Sequence, residues 1–139
     1  MLKISKKLHL VTTLIKNFST IKYSNTYEWI KLIDKEKKIA DVGLSKYAIS
    51  KLGDIVYVSI DTDINDIKDK NEVIGDVESV KSTSEINLPV KGEIIEINEQ
   101  VIDKDINIIN DEPENRGWLV KIIVDDLKDL DELNDNIDE

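Results

Sequence analysis

A mainly β domain with short helices is what this sequence predicts, on three observations. Its apolar residues make up 40% of the chain and are dominated by Ile and Val, whose branched side chains suit a pleated, half-buried surface. Runs rich in them, such as Asp54–Ile60 and Gly117–Val124, are separated by charged or glycine-containing turns. Only five glycines and two prolines occur in 139 residues, the composition of a folded chain rather than a linker. That length accommodates one domain and a short appendage.

The beginning of the chain differs from the rest. Met1 to Tyr27 holds five lysines (Lys3, Lys6, Lys7, Lys16 and Lys22) and no acid, Glu28 being the first. Ile4, Leu8, Val11 and Ile15 recur at helical spacing among hydroxylated residues, giving a basic amphipathic face if a helix forms. Lys16-Asn17-Phe18-Ser19 resembles a processing site. Residues 1–18 are therefore expected to be a mitochondrial transit peptide and the protein a matrix protein. The interrupted apolar run from Leu8 to Ile15 is too short to span a bilayer. Removing residues 1–18 takes away four lysines and no acids, so the net charge goes from −10 to −14.

From residue 19 to 139 a single domain is expected. Tyr27–Ile33 and Ile39–Val42 read as strands joined by the charged turn Asp34–Lys37. Ser45 is placed to cap a brief helix through Tyr47–Leu52 that Gly53 ends. Asp54–Ile60 is a strand, and the polar stretch Asp61–Asn71 a long loop. Glu72–Ser79 alternates Val73, Gly75 and Val77 against charged residues, as a half-buried strand does. Val80-Lys81-Ser82 breaks it, and Glu85–Val90 runs back. Glu93–Ile97 and Gly117–Val124 complete the strands, with Trp29 and Trp118 as core anchors. Leu127, Leu130, Leu133 and Ile137 then recur at helical spacing in residues 125–139, which hold eight acids and one lysine. An acidic C-terminal helix with one thin apolar face is the expectation.

The side-chain inventory narrows the chemistry. There is no cysteine, which excludes disulfides, thiolate metal sites and cysteine nucleophiles. The single histidine, His9, falls in the expected leader, so no imidazole remains as a base or zinc ligand. A net charge of −10 argues against nucleic acid or an anionic membrane as partner, since both select a basic face. Such a chain borrows a reactive group more readily than it owns one. Lys81 is the one basic residue between Lys70 and Lys91, flanked by small Ser79, Ser82 and Ser84 and by acids at Glu72, Asp76, Glu78 and Glu85. At a hairpin tip it presents a solitary amine that a modifying enzyme could select. By spacing alone it would be an ordinary surface lysine.

Glu78-Ser79-Val80-Lys81-Ser82 resembles the E-S-V-K-A/S signature around the lipoylated lysine of glycine cleavage H proteins. Lys22-Tyr23-Ser24 with Glu28-Trp29, Val42–Ser45 with Ala48, and Leu52–Val58 resemble further motifs of that family in order. So do Ser84–Ile86 with Pro89-Val90 and Gly92–Ile95, and Ile109-Asn110 with Pro113, Gly117–Leu119 and Lys121-Ile122. Tyr27 stands where the family usually has histidine, and Glu85 where it has aspartate. The resemblance implies a lipoyl/biotinyl-carrier-like barrel-sandwich hybrid. It also implies (R)-lipoate bound covalently through an amide to Lys81, the arm reaching about 14 Å. Glu78, Ser79, Val80, Ser82 and Glu85 are candidates for recognition around it, and no catalytic or metal-binding residue is expected.

By that resemblance the protein is a monomeric carrier, not an enzyme. It would shuttle an aminomethyl group from glycine between glycine decarboxylase, aminomethyltransferase and dihydrolipoamide dehydrogenase, and be loaded by lipoyl-attaching enzymes. A lipoate-relay protein donating lipoyl groups to other dehydrogenases would need the same hairpin, and an unmodified binding protein is a third reading. A biotin carrier would flank its lysine with methionine, whereas Met1 is the sole methionine here. A 2-oxoacid dehydrogenase lipoyl domain would carry Asp before the lysine.

Overall fold

The Ile- and Val-rich runs pair into two antiparallel sheets that face one another. The computed structural model describes residues 20–137; the expected transit peptide, 1–18, lies outside them. The strands are β1 (Ile21–Tyr23), β2 (Glu28–Asp34), β3 (Ile39–Leu44), β4 (Ile55–Ile60), β5 (Ile67–Lys68), β6 (Val73–Ser79), β7 (Thr83–Asn87), β8 (Gly92–Ile97) and β9 (Val120–Val124). The larger sheet has the order β1-β2-β3-β9-β8-β5 and the smaller the order β4-β6-β7. The assembly is sandwich-like rather than a closed barrel, in keeping with the mainly β carrier-type fold expected.

One apolar cluster fills the space between the sheets. Val42, Val120, Ile122 and Ile94 from the larger sheet meet Val58, Val77 and Ile86 from the smaller. Burying each such side chain contributes roughly 1.5–3 kcal/mol. Trp29 belongs to the interior as expected: it is 1% exposed, and its indole N–H donates to Pro113 O at 2.7 Å. Gly43 makes room for it, since a Cβ there would lie 2.7 Å from the indole nitrogen. Trp118 is only half-buried, its ring lying 4.5 Å below Lys121 Nζ, while Lys121 also bonds Asp41 at 2.5 Å. The flanking lysine, not the core, holds that ring.

Several elements differ from expectation for identifiable reasons. In β6 the strict alternation fails. A register shift between Val73 and Gly75 against β7 turns Val73 outward and buries Ile74. Gly75 is needed there, because a Cβ would fall 2.0 Å from Ser59 O. A second bulge, between Ile55 and Tyr57 in β4, leaves both Val56 and Tyr57 exposed. The loop 61–71 contains the two-residue strand β5 and is braced by Asp66, whose carboxylate accepts from Asp63 N at 3.0 Å and Thr62 Oγ1 at 3.2 Å. The Asp63 amide is the main reason the Asp66 carboxyl is held below its ordinary range.

The C-terminal segment is not the long helix expected. A 3-10 helix covers Leu127–Glu132, and Asn134 then bridges to Tyr23 of β1. Leu127, Leu130 and Leu133 still pack on the core. Once those leucines are docked, a dense run of acids with one lysine gives little support to further helical turns. Residues 98–116, left unassigned by periodicity, hold a one-turn π-helical segment at Gln100–Lys104 and a short α-helix at Asn107–Asp111, and the strand expected over Gly117–Val124 begins at Val120. The earlier helix, α1 (Lys46–Leu52), makes that second one α2. The Ser45 hydroxyl caps α1 by accepting from Ala48 N, and Gly53 ends it at φ 89°.

Candidate functional site

The centre of the site is the turn Ser79–Ser82 between β6 and β7. Four short bonds form it. Ser79 N donates to Ser82 O at 2.8 Å. The Ser79 hydroxyl accepts from the amides of Lys81 and Ser82, each at 3.1 Å, and contacts Ser82 O at 3.3 Å. A serine that folds its side chain onto the next two amides closes such a turn without glycine. Lys81 is thereby placed at the tip, where it is exposed.

The turn is also moored to the body of the protein. Val80 N donates to Asp54 O at 3.1 Å. The Lys81 stem lies over Gly53, so that a Cβ at Gly53 would sit 3.3 Å from Lys81 Cε and 3.7 Å from Nζ. Gly53 thus serves three ends: its φ of 89° and ψ of −172° suit glycine almost alone, its N–H closes α1 on Ile49 O, and its bare face floors the lysine stem. Ile55, the next residue but one, is gripped by Asn110 of α2: Ile55 N donates to Asn110 Oδ1 at 2.8 Å and Asn110 Nδ2 donates to Ile55 O at 3.0 Å.

The remaining residues singled out in the sequence sort clearly. Ser79, Val80 and Ser82 build the turn. Val80 leaves its side chain 67% exposed on the rim of an open concavity of about 430 Å³ bounded by Asp54, Val56, Ile106 and Asn110. Glu78 and Glu85 do not reach the lysine. Both are exposed, Glu78 opposite Thr83 and Glu85 opposite Asp76. Among the described residues no ion pair joins either to Lys81. With Asp76 they give the outer face of the smaller sheet a negative charge. Tyr27, at φ 75°, packs its ring 4.8 Å from that of Tyr47.

Sequence reasoning missed two supports. Glu28 is 1% exposed, and its carboxylate accepts from Ser24 Oγ at 2.6 Å, Thr26 Oγ1 at 2.5 Å and Asn87 N at 3.0 Å. Since Asn87 ends β7, this buried acid ties the root of the lysine hairpin to the larger sheet. Asn110 is the other; it stood in the Ile109-Asn110 motif of the resemblance, with no role assigned to it. Among the described residues no group of three or more His, Cys, Asp or Glu could hold a metal, and no helix is long and apolar enough to cross a membrane.

The family model described as Glycine cleavage H-protein matches residues 21–138. The chain belongs to the glycine cleavage H-protein family. Its relatives include the glycine cleavage system H proteins of Thermotoga maritima, 39% identical over 82% of this chain and 88% of the relative, and of Staphylococcus epidermidis, 39% identical over 83% and 87%. Among solved structures, the crystal structure of the glycine cleavage system H protein from Mycobacterium marinum superposes with a TM-score of 0.72. It is 28% identical and covers 83% of this chain and 89% of the other. H-protein membership thus spans both sheets and the lysine turn, and stops short of residues 1–20.

Proposed function

We propose that this chain is the carrier subunit of a glycine cleavage system and that Lys81 bears lipoate in amide linkage. The observation that carries the reading is the unencumbered amine on a moored turn. Lys81 Nζ makes no hydrogen bond or ion pair with any described residue. Acylating it therefore breaks no interaction of the fold, and loss of its charge leaves no partner unpaired. When bound, the group supplies a redox-active dithiolane, sulfur chemistry that a cysteine-free chain lacks.

The chain's own residues present and hold. The Ser79 hydroxyl fixes the turn, Gly53 floors the stem, and Glu28 secures the hairpin root. Attachment converts encounters with three partners (glycine decarboxylase, aminomethyltransferase and dihydrolipoamide dehydrogenase) into delivery by one tethered arm, which raises the local concentration of the carried group. The exposed acids Glu78 and Glu85, with half-buried Asp76, suit partners with basic approaches. Import into mitochondria, with cleavage near Ser19, is part of the same proposal and rests on the lysine-rich, acid-free start of the chain.

Intact-mass and peptide spectrometry on protein purified from its native cells tests the reading. A lipoyl increment on the peptide containing Lys81 is expected, with an N-terminus near Ser19. A fully occupied pool of unmodified Lys81 would refute the carrier role, and an intact Met1 on matrix-free protein would refute import.

A further inference from the structure

We propose that Asn110 is a positioning residue for Lys81: by clamping Ile55 it aims the carbonyl that moors the lysine turn, and so sets how readily a lipoate-attaching enzyme engages Lys81. This rests on the lipoyl-carrier reading above and adds to it a residue outside the hairpin.

The inference follows from strand geometry. In an extended strand the polar backbone groups of successive residues point to opposite edges. β4 is an edge strand of the smaller sheet. At Ile55 both N–H and C=O face away from β6 and would be open there, were it not for Asn110. The side-chain amide of Asn110 meets both, at 2.8 and 3.0 Å, as a neighbouring strand would. With Ile55 fixed on the outer edge, the preceding carbonyl, Asp54 O, is turned to the inner edge, where it takes Val80 N–H at 3.1 Å. One residue further back, Gly53 lies under the Lys81 stem. Asn110 is thus linked to Lys81 through Ile55, Asp54 and Val80, by hydrogen bonds and consecutive peptides alone. It comes from α2, a five-residue helix otherwise held to the core by Ile108 and Ile109, and its side chain faces the start of β4.

Loss of the clamp should widen the range of orientations open to Asp54 O and release Val80 part of the time. An enzyme that accepts the turn in one arrangement then meets a smaller competent fraction, and its apparent affinity falls by that fraction while the step after binding is unchanged. If one tenth of molecules remain competent, KM rises about tenfold.

The test uses the full chain and a lipoate ligase, with incorporation at Lys81 followed by intact mass. Asn110→Ala is compared with wild type and with Ile94→Val, a core variant chosen for a comparable fall in melting temperature. Expected for Asn110→Ala is a KM for the protein raised about tenfold with kcat within about twofold, and faster hydrogen exchange at the Val80 amide, neither being seen in Ile94→Val. Should Asn110→Ala fold poorly, Asn110→Asp is the second variant. It keeps an acceptor for Ile55 N–H and loses the donor to Ile55 O, and a smaller rise in KM with kcat unchanged is expected. An unchanged KM and unchanged Val80 exchange in Asn110→Ala would overturn the inference. So would equal KM rises in Asn110→Ala and Ile94→Val, which would mark the residue as structural only. If wild-type Lys81 accepts no lipoate at all, the carrier reading itself fails, an outcome distinct from either.

Discussion

Two hairpins of this protein carry exposed lysines at their tips, and they are built differently. Between β2 and β3, Lys35 and Lys37 flank Glu36 in a turn closed by Asp34, whose carboxylate accepts from Lys37 N at 2.9 Å, and by a longer 3.3 Å bond from Lys38 N to Lys35 O. Between β6 and β7 there is one lysine, a hydroxyl that organises two amides, a bond out to Asp54, and a glycine floor beneath the stem. Solvent exposure is common to both. Isolation from other amines and a glycine floor beneath the stem belong only to the Lys81 turn; the β2–β3 turn is itself tied to β9, Val124 N donating to Lys38 O at 2.8 Å. The contrast separates an accessible lysine from a presented one, and enzymes that modify a single amine need the second.

The largest expected effect is all-or-none. Lys81→Arg should abolish lipoylation, while Lys35→Arg and Lys37→Arg leave it intact; mass spectrometry of the labelled protein decides. All three should change stability by no more than about 0.5 kcal/mol, as surface substitutions do. Label moving to Lys35 or Lys37 in the Lys81 variant would break the comparison, because exposure would then suffice.

Next in size is the root of the functional hairpin. Glu28→Ala leaves Asn87 N–H, Ser24 and Thr26 without their buried acceptor. It should cost about 2–4 kcal/mol in urea unfolding, with hydrogen-exchange protection lost first in β7. The β2–β3 turn, which has no such bond, should keep its exchange rates.

A smaller pair of variants tests the two turns directly. Ser79→Ala and Asp34→Ala each remove the side chain that closes their own turn, and each should destabilise by about 0.5–1 kcal/mol. Only Ser79→Ala should also slow lipoylation, by a few-fold, measured as initial rate at limiting protein. Equal rates in the two would show that turn rigidity has no part in presentation.

The smallest effect is a pH dependence confined to alkaline solution. Tyr23 is held well above its ordinary phenol range, first by burial and then by its 2.7 Å bond to Glu114 and the charge of that carboxylate. A group raised in the folded state contributes stability below its unfolded value and loses it as pH climbs past about 10. Thermal melts should therefore fall with alkalinity above that pH more steeply in wild type than in Tyr23→Phe. The Lys81 turn should not respond, since Tyr23 pairs with Trp29 of β2 and with Asn134, and with neither β6 nor β7.

What was legible in the sequence follows the same division. Strand positions could be read because burial of Ile and Val on one face leaves a period-2 trace; Lys81 stood out through the resemblance of Glu78–Ser82 to the H-protein signature, since isolation among acids alone marks an ordinary surface lysine. Bulges could not. Val73 and Ile74 are both apolar, and which one turns inward depends on Ser59 O crowding Gly75, a contact sixteen residues away in the chain. The acidic tail had helical spacing, yet the bridge from Asn134 to Tyr23 claims the backbone that further helix would need. Within the site, the turn was local and visible; its mooring through Asp54, Ile55 and Asn110 joins three segments and leaves no periodic mark.

The bond that moors the lysine turn runs from one main-chain group to another, Val80 N–H to Asp54 C=O. Neither side chain takes part in it, and both are exposed. Mutational drift at those two positions therefore leaves the anchor standing, provided the backbone is not altered as proline at position 80 would alter it. A lineage can restyle the surface around its modified lysine to suit changing partners and still deliver the amine from the same place.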